Sequence, residues 1–359
     1  MLIAMLNDTH FGVRNDSEAF REYQLRFYNE IFFPYLEEHK IKTLVHLGDV
    51  VDRRKFINFN TASVFRKQFW DRLYAEQIDT HIIIGNHDTY YKNTNEVNAI
   101  ENLYTSFDKK HEPWIYTRPS VVDFDGTNIL FMPWICDDTR EESMKMIETA
   151  KAEIVMGHLE IKGIEMQNGV INDHGLNKSD FKRFDRVISG HFHKHTDDGQ
   201  IYYNGAQYEM TWSDYKDQKA FNIFNTETRE ITRVNNPLTI HNKIIYDDKK
   251  NNYDNFDLKP YHKHFVKLII LNKTDEEQFD RLVNRLYKEI QIHDLTILED
   301  FSDIKASVKD EALDMGEDTI TFLNNYVDQL ETDVDKQKLK EYLKSFYVEA
   351  NDRWYNFKR

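Results

Sequence analysis

The sequence predicts an α/β fold built on two sheets, and three patterns support that class. From residue 1 to residue 88, apolar strand-like runs alternate with helical periodicity, which favours parallel strands joined by crossover helices. The pair Asp125-Gly126 lies between two apolar runs and predicts a β-hairpin. Short strand-like runs between Ile201 and Val234 predict strands that complete a second sheet.

The first predicted elements alternate between strand and helix. In the helices, apolar side chains such as Phe20, Tyr28, Phe65 and Phe69 recur on one face, which is typical of helices packed on a core. The predicted elements are a strand at about residues 1–7, a helix from Ser17 or Glu18 to about His39, a strand at Thr43–Leu47, a helix at Asn60–Glu76 and a strand at His81–Ile84.

The next predicted elements belong to the same large domain, which we place at residues 1–240. They are a hairpin of Val121–Phe124 and Asn128–Met132, a helix near Glu141–Ala150, and strands at Glu153–Met156, Arg186–Ser189, Ile201–Tyr203, Ala220–Asn225 and Glu230–Arg233. The last three strands are predicted to complete the second sheet.

The composition changes near residue 240, where we place a domain boundary. A strand at His264–Leu271, a helix at Asp275–Ile290 and a strand at Leu295–Leu298 predict a small βαβ-like cap over residues 241–299. Residues 300–318 are acidic and weakly apolar, so we interpret them as a linker or a marginal helix. Helical periodicity returns afterwards, and residues 319–359 are predicted to form a helical tail.

Two apolar stripes mark the predicted tail. Their residues are Ile320, Leu323, Val327 and Leu330, followed by Leu339, Leu343, Phe346 and Ala350. Residues three or four apart lie on one side of a helix, so each stripe predicts a face that must be buried. That face can be covered by the other stripe, by the large domain or by another protein, and the acidic linker argues against permanent docking on the large domain.

Composition restricts the class of protein. Hydrophobic residues make up 40% of the chain, and the single cysteine, Cys136, excludes both an internal disulfide and a multi-thiolate zinc site. The first residues lack the basic region of a signal peptide, and no apolar run reaches the roughly 18 residues of a membrane span. We therefore expect a cytoplasmic protein (in the host cytoplasm if a phage encodes it) without membrane contact.

The formal net charge of −15 has the wrong sign for a protein that grips nucleic acid alone. Lysine and arginine contacts to phosphates dominate such binding. Two interpretations remain open. Either metal ions supply local positive charge while a partner subunit supplies the extended DNA grip, or the substrate is small or is not a polyanion.

Five short polar motifs, each following a strand-like run, carry most of the chemistry. They are Asp8-Thr9-His10, Gly48-Asp49-Val50-Val51-Asp52, Gly85-Asn86-His87-Asp88, Gly157-His158 and Gly190-His191-Phe192-His193. Loops after parallel strands gather at the carboxyl edge of a sheet, where ligands bind. Together the motifs supply carboxylate, imidazole and carboxamide groups in the numbers that two adjacent divalent ions need. A lone Asp-x-His or Gly-His pair would be a weak signal, whereas five in series predict a binuclear phosphoesterase site.

These motifs closely resemble those of the calcineurin-like metallophosphoesterases. Within that superfamily the chain most resembles the nuclease subunits of SbcCD-type double-strand-break-repair complexes, above all those of the T-even phages. The motif Gly157-His158-Leu159-Glu160, the run Met132-Pro133-Trp134 and the tail sequence Tyr347-Val348-Glu349-Ala350 carry the phage-like detail. The resemblance implies an αββα sandwich of two sheets, followed by a cap domain and a helical tail.

The resemblance also implies a ligand set for two metals. Asp8, His10 and His193 would hold one ion, while Asn86, His158 and His191 would hold the other. Asp49 would bridge the two ions. Mixed nitrogen and oxygen ligation suits manganese, iron or zinc, and the family's use of manganese makes Mn²⁺ the working assignment, with Mg²⁺, Fe²⁺ and Zn²⁺ as alternatives.

Three further residues receive catalytic roles from the resemblance. His87 fits the general acid that protonates the leaving oxygen, and Asp88 is expected to orient its ring. At the position of Asp52, archaeal and eukaryotic relatives carry a histidine linked to exonuclease action. Asp52 is therefore either an equivalent catalytic residue or a partner that orients a ligand histidine.

The implied function is metal-dependent hydrolysis of DNA phosphodiesters, exonucleolytic or endonucleolytic, by a metal-activated water during recombination and repair. A phosphatase or small phosphodiester hydrolase of the same superfamily is one alternative, and a subunit that mainly joins ATPase chains is another. The implied partners are DNA, a second copy within a heterotetramer, and an SMC-like ATPase of the SbcC type bound through residues 319–352. Aromatic residues in Phe20–Phe33 and Phe56–Phe69 are expected to contribute to the homodimer surface.

Overall fold

The computed structural model describes residues 1–104, 113–167 and 170–299, together with Val327, Lys336, Gln337 and Lys340. The predicted linker at 300–318, and all of the predicted tail except those four residues, lie outside the described residues. The chain divides into two compact units, the first comprising Met1–Ile244, Asn252–Lys267 and Asp275–Thr296, and the second Ile245–Asn251, Leu268–Thr274 and Ile297–Arg359. The domain bounds inferred from the sequence stay a prediction.

The strands are numbered in chain order. They are β1 (Leu2–Leu6), β2 (Thr43–His46), β3 (Asp79–Ile83), β4 (Trp114–Tyr116), β5 (Ser120–Phe124), β6 (Thr127–Met132), β7 (Ile154–His158), β8 (Glu165–Gln167), β9 (Val170–Ile171), β10 (Arg186–Gly190), β11 (Thr196–Asp197), β12 (Ile201–Tyr203), β13 (Ala220–Asn225), β14 (Ile231–Asn235), β15 (His241–Asp247), β16 (Phe265–Asn272) and β17 (Asp294–Leu298).

Five main helices accompany the strands within the described residues. They are α1 (Glu18–Arg26, a π-helical segment at Phe27–Phe32, and Phe33–Glu38), α2 (Phe59–Phe65, a π-helical segment at Arg66–Trp70, and Asp71–Ala75), α3 (Ala99–Tyr104), α4 (Arg140–Thr149) and α5 (Glu276–Lys288). The two long helices predicted before residue 80 are thus present, each with a central π-helical segment. None of the helices in the described part of the chain has the length and apolar content that a bilayer crossing requires.

The first sheet has the strand order β14-β13-β1-β2-β3-β4. Strands β1, β2, β3 and β4 are parallel to one another, as the predicted alternation of strand and helix requires. The second sheet has the order β11-β12-β10-β7-β6-β5. The predicted hairpin is confirmed, since β5 and β6 pair antiparallel across Asp125-Gly126.

The sequence assigned two strands to the wrong sheet. Of the three late strands expected to complete the second sheet, only β12 joins it, by pairing parallel with β10. Strand β13 instead pairs antiparallel with β1, and β14 pairs with β13, so both extend the first sheet. Buried Phe221 and Ile223 of β13 pack in the same core as α1, and local periodicity does not reveal which sheet supplies that core.

Alternate residues of β1 enter two different cores, which is the arrangement of an αββα sandwich. Ile3 and Met5 pack with Ile154, Met156 and Ile188 of the second sheet, in the layer between the sheets. Ala4 and Leu6 point the other way, toward the core formed with α1 and α2. A third core covers the outer face of the second sheet with side chains from α4 and the segments near residues 159–192. The predicted fold class is therefore confirmed.

The aromatic residues offered as a sign of a dimer surface are mostly buried within this chain. In the range Phe20–Phe33, every phenylalanine is buried in the core beneath the first sheet, as are Phe65 and Phe69. Their abundance reflects a large aromatic core, so it gives no support to a dimer. Phe56 and Phe59 differ, because they are 58% and 91% exposed.

The elements predicted beyond residue 240 are present among the described residues. A strand (β16), a helix (α5) and a strand (β17) follow each other as expected, and β15 is an additional strand, with β16 central in the sheet order β15-β16-β17. Asp275 caps α5 by accepting the backbone amide of Gln278 at 3.0 Å. Of the predicted tail, the described residue Val327 is helical and buried.

Candidate metal centre

The five predicted motifs meet at the carboxyl ends of five parallel strands. Asp8 and His10 follow β1, Asp49 follows β2, and Asn86-His87-Asp88 follows β3, all in the first sheet. His158 ends β7, and the motif Gly190-His191-Phe192-His193 begins at the end of β10, both in the second sheet. The two sheets of the sandwich therefore each deliver part of one cluster.

Asp8, His10 and His193 form one group of converging donors. The Nε2 atoms of His10 and His193 lie 3.2 Å apart, and each lies 3.8 Å from Oδ1 of Asp8. Ligand atoms at these separations surround a point that a single cation can occupy. This group matches the first ligand set that the sequence predicts.

Asp49, His158 and His191 form a second group of donors. His158 Nε2 lies 3.3 Å from Oδ2 of Asp49 and 3.0 Å from Oδ1 of Asn86. The rings of His158 and His191 are 5.1 Å apart between centroids. All four residues of the second predicted set, counting Asp49, are thus brought together.

One carboxylate oxygen lies next to both groups. Oδ2 of Asp49 is 3.3 Å from Nε2 of His158 and 3.8 Å from Nε2 of His10. Its other oxygen accepts the backbone amide of His87 at 2.7 Å. Asp49 therefore has the position that a bridging ligand between two ions needs.

His87 lies at the edge of the cluster. Its Nδ1 is 2.6 Å from the carbonyl oxygen of Asp52, so Nδ1 carries a proton and donates it there. The His87 ring packs edge-on against His10 with 4.8 Å between centroids. Atoms of His87, His10 and Asp49 also converge closely enough to hold a cation, so the geometry allows His87 to act on either substrate or metal.

Asp88 does not have the role that the sequence suggested for it. The ring of His87 is oriented by the Asp52 carbonyl, whereas the carboxylate of Asp88 is fully buried and faces the backbone. Its oxygens accept amides from Gly85 (2.9 Å), Asp49 (2.9 Å), Val50 (2.8 Å) and Val51 (3.2 Å). Asp88 therefore holds together the two loops that carry Asp49 and His87.

Asp52 lies beside a predicted ligand. Its Oδ1 is 3.7 Å from Nδ1 of His10, on the side of the ring opposite the metal group. This position favours the interpretation in which Asp52 orients a ligand histidine, because a carboxylate at the outer nitrogen fixes the tautomer and ring orientation. Through its carbonyl oxygen the same residue also orients His87.

Electrostatics in the cluster keep two histidines neutral. Burial lowers the pKa of His10 well below its usual value and that of His191 to about 3. For His158, burial acts in the same direction, but the nearby carboxylate of Asp49 outweighs it and raises the pKa to about 9. Although burial opposes the effect, His158 and His87 hold the pKa of Asp49 well below its usual range. Ionised Asp49 and the neutral rings of His10 and His191 are in the forms that bind cations, whereas His158 would have to give up its proton to a bound cation.

Several buried atoms in the cluster have no partner among the described residues. One of them, Oδ1 of Asp8, faces the metal group, whereas the Nδ1 atoms of His10 and His193 lie on the sides of their rings away from it. Buried polar atoms without hydrogen bonds are rare in folded proteins and call for an explanation such as an ion. The unsatisfied Asp8 oxygen faces the Nε2 atoms of two histidines, a donor set of mixed nitrogen and oxygen that fits divalent cations.

The backbone at the site is shaped for close approach. Asp8, His10, Asp49 and His191 have φ values of 47°, 42°, 56° and 87°, a left-handed conformation that non-glycine residues seldom adopt. Such strain is found at functional sites. Gly48 also has positive φ, and a Cβ atom there would lie 2.5 Å from Nδ1 of His158. No larger residue fits at this position.

Two neighbouring residues were not singled out as part of the site by sequence reasoning. Asn7 donates its side-chain amide to Oδ2 of Asp8 at 2.6 Å and to the carbonyl oxygen of Gly205 at 3.0 Å, which fixes the Asp8 carboxylate. Trp134 packs against His191 and His158, with ring centroids 5.3 and 6.1 Å away. Asn7 directly precedes the motif that begins at Asp8, so the sequence could have indicated it. Trp134 follows β6 and is not next to any of the five motifs, so the sequence did not indicate it.

Other polar residues lie outside the cluster. His46 is buried, and its Nε2 is hydrogen-bonded to the hydroxyl of Thr9 at 3.1 Å, as expected for a core histidine. The guanidinium of Arg53 is paired with Asp16. Cys136 is buried, and its thiol is hydrogen-bonded to the hydroxyl of Thr139.

The chain is similar to a curated protein and to several solved structures. Exonuclease subunit 1 of Enterobacteria phage T4 is 29% identical over 354 residues, covering 98% of this chain and 99% of that protein. Among solved structures, an archaeal phosphodiesterase aligns with 66% of this chain and 100% of its own (15% identity, TM-score 0.31). A hypothetical protein from Thermus thermophilus aligns with 58% of this chain and 76% of its own (15% identity, TM-score 0.32).

The family match covers the whole cluster. The model of the calcineurin-like phosphoesterases matches residues 1–195, which is more than half of the chain and includes every predicted site residue from Asp8 to His193. That family uses divalent metal ions, and the described residues contain donor groups able to hold them. The chain therefore belongs to the calcineurin-like phosphoesterase family.

Proposed function

We propose that this protein is a DNA nuclease that hydrolyses phosphodiester bonds with two divalent metal ions. The observation that carries the proposal is the pair of donor groups that share one oxygen of Asp49, at 3.3 Å from His158 and 3.8 Å from His10. The family match supports phosphoester hydrolysis. The near full-length similarity to a phage protein named an exonuclease subunit supports DNA as the substrate.

The residues divide into two ligand sets. Asp8, His10 and His193 would hold one ion and Asn86, His158 and His191 the other, with Asp49 between them. Two divalent cations there would supply the positive charge that stabilises the attacking and leaving oxygens of an in-line displacement at phosphorus. Manganese is the proposed metal, because the mixed nitrogen and oxygen donors suit manganese, iron or zinc and the resemblance to the nuclease subunits favours manganese among them.

His87 is proposed as the general acid. Its Nδ1 proton is engaged by the Asp52 carbonyl at 2.6 Å, so only Nε2 is available to the substrate. As the bond between phosphorus and the leaving oxygen breaks, a protonated His87 would give its Nε2 proton to that oxygen. Asp52 acts as a positioning residue in this scheme, through its carbonyl oxygen toward His87 and through its carboxylate toward His10.

A partner ATPase would resolve the conflict between a net charge of −15 and a DNA substrate. We propose that an SMC-like ATPase of the SbcC type supplies much of the DNA grip and binds the tail at residues 319–352. The apolar stripes of the tail fit recognition of a helix by a groove. The name of the phage relative, a subunit, agrees with a role in a complex.

A homodimer within that complex remains part of the proposal. Exposed Phe56 and Phe59 provide the apolar surface that such a contact would bury. Light scattering at micromolar concentration would test it. A particle of 43 kDa, the mass of one chain, would contradict the dimer.

The function is tested with end-labelled DNA, with and without Mn²⁺ and with and without a co-purified ATPase. We expect cleavage that requires the metal and that a chelator stops. A matched assay with phosphoserine and a phosphorylated sugar separates nuclease from phosphatase action. Hydrolysis of those monoesters without any cleavage of DNA would reject the proposal.

A further inference from the structure

A cavity of about 290 Å³ adjoins the second metal group. His158 forms part of its wall, so the cavity begins where one candidate ligand ends. The rest of the lining comes from Trp134, Ile135, Arg140, Leu159, Glu160, Gly175 and Leu176. Arg140 and Gly175 are exposed, so the cavity opens to solvent. The ligand assignments so far use only His158 among these residues.

The inner wall of the cavity is suited to a flat, uncharged ring. The half-buried indole of Trp134 lies beside the rings of His158 and His191, and Ile135, Leu159 and Leu176 add apolar surface. Nucleobases stack on aromatic side chains of this kind without regard to sequence. The volume lies just below the range for small-ligand sites, which is about 300–1,000 Å³. One base fits such a space, and a base in a duplex must leave the stack to enter a cavity of this kind.

Arg140 supplies a cation at the open side. It is the first residue of α4, it is exposed, and no described residue makes an ion pair or hydrogen bond with its guanidinium. Glu160 also lines the cavity, and its negative charge disfavours an anion inside it. A phosphate is therefore expected at Arg140, with the uncharged base further in. Planar guanidinium groups match phosphate oxygens in a two-point contact.

We propose that this cavity is a nucleotide subsite. It takes the base of the nucleotide next to the scissile phosphate against Trp134, while Arg140 pairs with the outer phosphate of that nucleotide. The inference rests on the proposed nuclease function and deepens it, because the base must be unpaired to enter. Cleavage is thus favoured at single-stranded or frayed positions. Trp134 and Arg140 are positioning and specificity residues, and the metal ligands carry out the chemistry.

Stacking is tested by removing the base from the DNA as well as the indole from the protein. Two oligonucleotides are compared, one with an abasic residue on the 5′ side of the scissile phosphate and one with it on the 3′ side. The rate of cleavage of each is measured for the wild type and for the variants Trp134→Phe and Trp134→Leu. In the wild type we expect an abasic residue at one of the two positions to lower kcat/KM by about 5- to 150-fold. Trp134→Phe should keep most of that dependence, and Trp134→Leu should lose it.

The phosphate contact is tested with a second variant on the exposed rim. Arg140→Ala should raise KM for DNA and leave kcat within about twofold, and it should lower the slope of log affinity against log salt by about 0.7 for single-stranded DNA. Lys145→Ala is the matched control, because Lys145 is an exposed cation on the same helix and does not line the cavity. A neutral methylphosphonate at the outer phosphate should reproduce the Arg140→Ala defect in the wild type and add nothing to it in the variant.

The results of these assays distinguish failure of the nucleotide subsite from failure of the proposed nuclease function. A wild type that does not cleave DNA contradicts the proposed function itself. A wild type that cleaves DNA, with the same abasic penalty in Trp134→Leu and the same salt slope in Arg140→Ala, overturns the subsite alone. Metal content of each variant is measured in parallel. Trp134→Leu would lose metal if the indole of Trp134 supports His191. In that case the Arg140→Ala experiments alone decide whether the cavity is a nucleotide subsite.

Discussion

The carboxylate of Asp88 accepts the backbone amide of Asp49 at 2.9 Å, so two motifs 39 residues apart are joined beneath the metal centre. The same carboxylate also accepts the amides of Gly85, Val50 and Val51. Asp49 is held in a left-handed conformation with φ of 56°. Because amide donors surround Asp88, it stabilises a strained loop that would otherwise relax.

We predict that Asp88→Asn destabilises the protein more than it alters contacts with substrate. The amide nitrogen of asparagine would face backbone N–H donors, so buried donors would lose their acceptor. Burial and the charge of Asp49 raise the pKa of Asp88 to about 7, so above pH 7 the loss of charge-assisted hydrogen bonds should cost about 3 kcal/mol in the free energy of unfolding. Urea unfolding measures it, with the exposed Asp137→Asn as control. Equal midpoints for the two variants would show that the amide cluster contributes nothing.

Replacement of Asp49 by Asn should abolish binding of both metal ions. The substitution keeps the size of the side chain but removes the charge that lies next to both donor groups. We expect at least a roughly 100-fold loss of DNA cleavage, the scale seen when one electrostatic contact at a reacting centre is removed. Elemental analysis of the purified variant measures the stoichiometry. Two ions per chain in the variant, or one ion in the wild type, would contradict the bridging role.

His87→Gln should separate proton transfer from metal binding. Loss of a general acid costs about 10²- to 10⁴-fold in turnover, while metal content and DNA binding should stay at the wild-type level. A substrate with a p-nitrophenolate leaving group needs no protonation, so its hydrolysis should be affected far less. If the variant loses an ion instead, His87 is a ligand, as its proximity to His10 and Asp49 allows.

A buried ion pair beside the site should make stability depend on acid pH. Lys219 pairs with Asp214 and Asp217 and donates to the carbonyl oxygen of His193 at 3.1 Å. Burial alone would raise the pKa of Asp214, but Lys219 outweighs it and holds the pKa at about 2, below the ordinary 3.8. The ion pair therefore contributes about 2 kcal/mol to the free energy of unfolding above pH 3.8, and this contribution is lost as the pH falls toward 2.

Substitution of Asp214 tests that pair. Asp214→Ala leaves Lys219 buried with a single acidic partner, and we expect a loss of about 3 kcal/mol in unfolding free energy at pH 7. The double variant Asp214→Ala/Lys219→Met should recover part of it, because no buried charge then lacks its partner. Chemical denaturation at pH 7 and pH 3 measures both effects. A pH profile unchanged by Asp214→Ala would mean that another group causes the acid dependence.

The tail prediction concerns residues outside the described part of the chain. Leu339→Asp combined with Leu343→Asp places charge in the second predicted stripe, which should abolish co-purification with the ATPase. Manganese-dependent cleavage of short DNA should persist, because the metal centre lies within residues 8–193. Lys340→Ala, off the stripe, is the control. Pull-down of the ATPase at wild-type affinity by the double variant, or by a chain ending near residue 300, would rule out the tail as the binding site.

The sequence by itself determined the fold class and which polar motifs converge at the candidate metal centre. Strand and helix periodicity is local, so the alternation up to residue 88 was sufficient to predict parallel strands with crossover helices. The carboxyl ends of parallel strands share an edge, which is why motifs from Asp8 to His193 were expected to converge. Polar side chains directly after buried strands therefore identified the cluster without coordinates.

The tertiary structure decided how these groups are held. Which sheet takes β13, which carbonyl orients His87 and which amides surround Asp88 depend on contacts between distant segments. His10 and His193, for example, are 183 residues apart in sequence and 3.2 Å apart in space. No local period encodes such pairings, because they arise only when both sheets have packed. For the same reason the cavity between Trp134 and Arg140 became visible only in the folded chain.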